Sequence, residues 1–154
     1  MSVHAATIRW QRDGRQFTNN HYSRGHTWEF DGGAVVPASA SPDVVPLPMS
    51  IAENVDPEEA FVAALASCHM LVFLSIAAKR GYVVDEYHDK ASGVMAEDEQ
   101  GKLAITNVTL RPAATYSGGK RPTREQVEKM HHRSHQLCFI ANSVKTVVET
   151  EVQN

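Results

Sequence analysis

Between Ala60 and Ala78 only Ser67, His69 and Ser75 interrupt a continuous apolar run, and both ends of that run carry helix signals. Asp56 is a capping residue, Pro57 suits the first helical position, and Glu58 and Glu59 complement the positive end of a helix dipole. At the other end Lys79 and Arg80 suit the negative end, and Gly81 supplies a stop. A helix apolar on nearly every face must be covered on nearly every face. A 17.0 kDa chain has little material with which to wrap it, so burial against a second copy of the chain is the economical solution.

The 154 residues fit a single domain spanning 1–154. The net charge of −3 and the pI near 6.2, with basic residues scattered apart from Lys120, Arg121 and Arg124, speak against a nucleic-acid surface. The first thirty residues hold Arg9, Arg12, Arg15 and Arg24 and no apolar signal core, and no run reads as a membrane span. The expected setting is the reducing cytoplasm, where two cysteines are catalytic, redox-active or simply buried rather than a permanent bridge.

Val3 to Arg12 alternates as a strand, and Arg12-Asp13-Gly14-Arg15 offers turn chemistry leading to a second strand through Phe17. A third strand is expected at His26–Phe30, and the proline-containing stretch from Val35 to Pro48 reads as loop or edge strand. Beyond the long helix, Tyr82–Ala96 and Lys102–Thr115 read as a large antiparallel hairpin across the polar 97–101 turn. Thr123 with Gln126 forms a capping box that opens a helix through about Gln136, and the alternation from Val147 to Val152 closes the chain as a strand. The class is α+β with a mainly antiparallel sheet around one long buried helix.

The chemistry centres on two thiols. Cys68 sits within the apolar helix, among aliphatic side chains, and Cys138 follows the second helix. A free cysteine in such a helix is most often core filling, but Ser67 and His69 flank this one and Ala64 leaves space one turn before it. A thiol that cleaves a peroxide must react as thiolate, and apolar surroundings oppose ionisation unless a cation stands nearby. Arginine suits that task because it stays charged and forks across two partners, and a carboxylate then fixes its position. The minimal set is a cysteine, an arginine, an acid and a second cysteine.

Asp56-Pro57-Glu58-Glu59-Ala60-Phe61 followed by Ala63-Ala64-Leu65-Ala66-Ser67-Cys68 closely resembles the Asn-Pro-Glu-Glu/Gln-Leu-x-x-Ala-x-x-Ala-x-Cys pattern of the OsmC family, which includes the organic hydroperoxide resistance proteins. His135 to Ser143 resembles that family's second-cysteine region, and the element order agrees along nearly the whole chain. The resemblance implies a thiol-dependent peroxidase acting on alkyl or lipid hydroperoxides, built as an intertwined homodimer without a bound cofactor. It places Cys68 as the peroxidatic and Cys138 as the resolving cysteine, with Glu58 as the acid that orients the arginine. It puts Arg24 ahead of Arg12 and Arg15 for that arginine. The implied reductant is an external dithiol such as a lipoylated protein.

Two departures stand out. Phe139 follows Cys138 where many members have proline, and the 35–48 stretch lacks a counterpart in compact members. Along one straight helix Glu58 and Cys68 lie about 15 Å apart, too far for one arginine to serve both, so a composite site with acid and thiol from different subunits is expected. Trp28, Phe61, Leu65, Phe73 and Phe139 are the expected walls of an apolar substrate cleft.

Two other readings remain open. His131, His132, His135 and Cys138 form a run at helical spacing that could hold zinc, most directly through His132, His135 and Cys138. A non-catalytic carrier of apolar ligands with incidental thiols is the third possibility. A cysteine hydrolase using His69 is disfavoured, since adjacent helical residues point about 100° apart.

Overall fold

The computed structural model describes residues 1–154 and divides into two compact units, Met1–Ala60 and Phe61–Asn154. In the first, β1 (Ala6–Arg9), β2 (His26–Phe30) and β3 (Val35–Ala38) form an antiparallel sheet in that order. The expected hairpin across Asp13-Gly14 does not form: Ala6 pairs with Phe30 and Arg9 with Thr27, so the partner of β1 is β2. Asp13 and Gly14 do adopt left-handed backbone, at φ 55° and 72°. Beyond that turn Phe17 leaves the extended register because its ring stacks on Tyr22 at 4.5 Å and tilts against Trp10 at 5.9 Å. Aromatic packing thus outweighs strand pairing at this point. Pro37 lies in β3, where an edge strand tolerates its missing donor.

Helix α1 (Pro57–Lys79) begins and ends where the sequence predicts. The backbone N–H of Glu59 donates to Asp56 Oδ1 at 2.7 Å, and that of Asp56 donates to Glu59 Oε2 at 3.3 Å, a reciprocal cap. At the far end Tyr82 N–H donates to Ala77 O and Gly81 N–H to Ala78 O, both at 3.0 Å, with Gly81 at φ 77°. This is the glycine-closed Schellman arrangement. At 23 residues α1 is, contrary to the sequence reading, long and apolar enough to cross a bilayer, but one of its faces is core. Leu65, His69, Phe73 and Ala77 recur every four residues and are buried.

The second unit holds the predicted long hairpin, broken midway. Strands β4 (Val83–Asp89) and β7 (Pro112–Ser117) pair antiparallel, as do β5 (Ser92–Glu97) and β6 (Leu103–Leu110). The break is braced by Arg111, whose backbone N–H donates to Asp89 Oδ1 at 2.6 Å and whose guanidinium reaches Lys90 O, Ser92 Oγ and Glu151. Strand β8 (Val147–Thr150) runs parallel to β6, making this sheet mixed. Helix α2 (Arg124–Leu137) opens with the predicted Thr123–Gln126 capping box and is followed by a short 3-10 turn, Ala141–Ser143. Phe73 and Ala77 pack with Tyr82, Ala114, Val127 and Met130 in one core cluster, and Leu65 packs with Val108 and Leu110 in another.

Gly93 on β5 lets the sheet approach α1 closely. A Cβ there would lie 2.8 Å from Val62 Cγ2 and 3.1 Å from Ile105 Cγ2. Gly93→Ala is expected to cost about 1–3 kcal/mol through overpacking, read as a lower urea midpoint at unchanged m-value.

Candidate functional site

Cys68 stands at the border of two faces of α1. The buried stripe runs through Leu65, His69 and Phe73, while Ala64, Ser67, Leu71, Ser75 and Ala78 are exposed. Cys68 itself is half-buried. Cys138 is the C-cap of α2, with extended backbone at φ −69° and ψ 112°, and is only 1% exposed. The sequence reading had these environments the other way round. Cys68 lies beside the uncovered stripe of its helix, whereas the chain turns inward at the end of α2 and leaves Leu137, Phe139 and Ile140 outside.

The two thiols meet. Both are free, and Cys68 is a near neighbour of Cys138, close enough to act on its thiol. Burial pushes the Cys138 thiol up from its usual range, and the contact with Cys68 pushes the same way. Two backbone N–H groups of the following turn oppose this: that of Ala141 donates to Cys138 Sγ at 3.4 Å, and that of Ile140 adds a weaker contribution. The site therefore joins a more accessible sulfur to an inner one that burial holds toward the neutral thiol, an effect two amide dipoles offset only in part.

Arg24 belongs to the first unit. Its Nη1 donates to the carbonyl oxygens of Asn20, at 3.1 Å, and Tyr22, its Nη2 donates to Asn20 Oδ1 at 2.7 Å, and its guanidinium lies 3.6 Å over the Tyr22 ring. Its Nε–H makes no hydrogen bond, and no carboxylate pairs with it. Glu58 lies in the same unit, and its Oε2 is buried without a partner. The expected arginine–acid pair is therefore not made within the chain, and both members keep free bonding capacity. Arg12 and Arg15 are exposed, and Arg12 Nη1 only closes its own turn on Arg15 O at 2.8 Å.

Around Arg24 lies an open apolar pocket of about 490 Å3, lined by Ile8, Trp10, Phe17, Tyr22 and His26 among others. Trp10 is fixed by an Nε1–H bond to Ser23 O at 2.8 Å and stands edge-on to Tyr22 at 5.5 Å. Sequence reasoning missed this pocket. The available signal was three aromatic residues and an arginine crowded into a polar loop, a pattern with no strand or helix period. Two of the expected wall residues are instead core: Leu65 is 1% and Phe73 0% exposed. The remaining expected wall residues are Trp28 and Phe61, both half-buried, and Phe139, which is exposed.

The histidines do not assemble as metal ligands. No group of three or more histidine, cysteine or acidic side chains converges on one point. His131 turns inward and bonds His69 at 2.9 Å, while His132 accepts from Gln136 Nε2 at 3.0 Å on the exposed face. Residues spaced for one helix face are thus divided between core and solvent.

The OsmC-like protein family model matches residues 52–153, and the chain belongs to this family. The structure of an OsmC-like protein of unknown function from Vibrio cholerae O1 biovar eltor is 59% identical, covers 99% of this chain and 100% of that one, and superposes with a TM-score of 0.98. The organic hydroperoxide resistance protein of Bacillus subtilis, 17% identical over 99% and 98% of the two chains, shares the fold at a TM-score of 0.70. So does that of Elizabethkingia anophelis, 16% identical over 99% and 94%, also at 0.70. No curated protein sequence matches the chain. The α+β architecture read from the sequence is the one these structures share.

Proposed function

We propose that the chain, acting as one functional domain over residues 1–154, is a thiol-dependent peroxidase that reduces organic hydroperoxides to alcohols. The observation that carries this reading is the proximity of two free thiols, Cys68 and Cys138. The Cys68 thiolate attacks the outer peroxide oxygen, the O–O bond breaks, and the alkoxide leaves and takes up a proton as the alcohol. Cys68 is left as sulfenic acid. The Cys138 thiolate then attacks the Cys68 sulfur, the S–O bond breaks, hydroxide leaves as water, and a disulfide joins the two residues. An external dithiol, a lipoylated protein among the options, restores both thiols through two exchange steps.

The unpartnered Glu58 oxygen and the carboxylate-free Arg24 support a homodimer in which acid and thiol of one site come from different chains. The exposed small-residue stripe of α1 supports the same arrangement, because it offers apolar surface that the chain alone leaves wet. The aromatic pocket around Arg24 favours hydroperoxides with a bulky apolar group over hydrogen peroxide.

One equivalent of an alkyl hydroperoxide is expected to consume both thiols of the chain, with a mass loss of about two protons mapping to a Cys68–Cys138 peptide. Binding of an apolar ligand with both thiols still titratable would instead make the protein a carrier. Sedimentation equilibrium is expected to give twice the 17.0 kDa chain mass.

A further inference from the structure

We propose that His69 and His131 are positioning residues, a hydrogen-bonded clip that sets the register of α1 against α2 and so holds Cys68 against Cys138. The role assigned to the clip rests on the thiol-peroxidase reading, but its measurement does not. His69 directly follows Cys68, and His131 precedes Cys138 by seven residues, two helical turns, which puts both on one face of α2. That face is the buried one, through Val127, Met130, His131, Ser134 and Cys138.

The clip is tightly defined. His69 Nε2 lies 2.9 Å from His131 Nδ1, the rings are 9° from parallel at 5.2 Å, and His131 also stacks on Phe73 at 4.2 Å and 13°. The residues are 1% and 3% exposed. No other side-chain hydrogen bond joins the two helices. Two imidazoles are a poor choice for filling such a space, since aliphatic side chains would pack there without desolvating polar nitrogen. What an aliphatic pair lacks is direction. One ring donates and the other accepts, so sliding α1 by one residue, about 1.5 Å along the axis and 100° around it, leaves both nitrogens unpaired in the core. The register that satisfies the histidines is also the one in which the thiols meet. The clip therefore governs the resolving step, closure of the disulfide, rather than attack on the peroxide.

The test is a redox titration of the full-length reduced protein against glutathione and glutathione disulfide. Two protein thiols and one glutathione disulfide exchange for the protein disulfide and two glutathione thiols, and the equilibrium gives the effective concentration of Cys68 and Cys138 for each other. His131→Phe keeps the ring that stacks on Phe73 and removes the bonding nitrogen. It is expected to lower the effective concentration at least tenfold, about 30 mV in potential. His131→Asn returns a polar atom to the Nδ1 position and is expected to stay within threefold of wild type. An unchanged value in His131→Phe, or a tenfold fall in His131→Asn with native near-UV circular dichroism, overturns the clip. Should His131→Phe not fold, His131→Asn decides alone by the same limits. A wild-type protein that titrates normally with glutathione yet ignores hydroperoxides would remove the peroxidase reading and leave the clip standing.

Discussion

Cys68→Ser is expected to lower kcat/KM for an alkyl hydroperoxide by on the order of a thousandfold or more, because the hydroxyl that replaces the thiol ionises far too weakly to attack an O–O bond at neutral pH. Cys138→Ser is expected to behave differently. Its first turnover should proceed near the wild-type rate, since the half-buried Cys68 does not need the inner thiol to meet peroxide. Turnover then stops at the sulfenic acid, which a dimedone adduct reports by mass and which excess peroxide drives on to sulfinic acid. The asymmetry follows from burial: Cys138 is 1% exposed, with Cys68 as its neighbouring sulfur. A Cys68→Ser protein retaining more than a tenth of the activity would show that neither the assigned nucleophile nor the two-thiol scheme is correct. Equal losses in the first turnover of both variants would show that the two thiols act as a unit from the start.

The parts of this molecule legible in its sequence are those governed by short-range rules. Asp56, Pro57 and Gly81 bound α1 because capping and glycine closure involve residues only a few positions apart, and the Thr123–Gln126 box is equally local. The long hairpin was visible from its polar turn, but its break at Lys90 and Arg111 was not, since the bracing bonds run from Arg111 to Asp89, Ser92 and Glu151. The failed hairpin after Asp13 shows the limit more sharply. The turn itself formed, yet three aromatic rings gathered the following residues into a loop around Arg24. Which cysteine is inner depends on which face of α1 the rest of the chain covers, and apolar character on every side hides that choice. The histidine pair is least legible of all, since 62 residues separate its members and the local run that holds His131 points to His132, His135 and Cys138 rather than to His69.

That pair also makes the fold sensitive to acid in a defined window. Burial is the main cause holding His69 down to about 4, helped by the charge of His135, and it holds His131 down to about 3, helped by His69 and Arg124. Both values lie below the ordinary 6.5, so as pH falls the unfolded chain takes up these two protons first. The stability contributed by neutral, bonded imidazoles is therefore complete above about pH 7.5 and is lost progressively below 6.5. Each pH unit within the window costs about 1.4 kcal/mol per histidine, so at pH 5 the two together remove about 4 kcal/mol, a large share of the stability of a typical domain. Asp98 does not blur this window. The Lys145 ammonium and two backbone N–H groups hold its carboxyl at about 2, so its contribution is lost only as pH falls below the ordinary carboxylate range. Asp89 works in the opposite sense, as burial raises its carboxyl and lets the folded state take up a proton early. Urea midpoints measured at pH 7.5, 6 and 5 are expected to fall steeply with a slope near two protons, and His131→Phe is expected to reduce that slope to about one. A midpoint that stays level from pH 7.5 to 5 in the wild-type protein would mean that the imidazoles are already charged or wet in the native state, and that the core joining α1 to α2 is not the dry, bonded one described above.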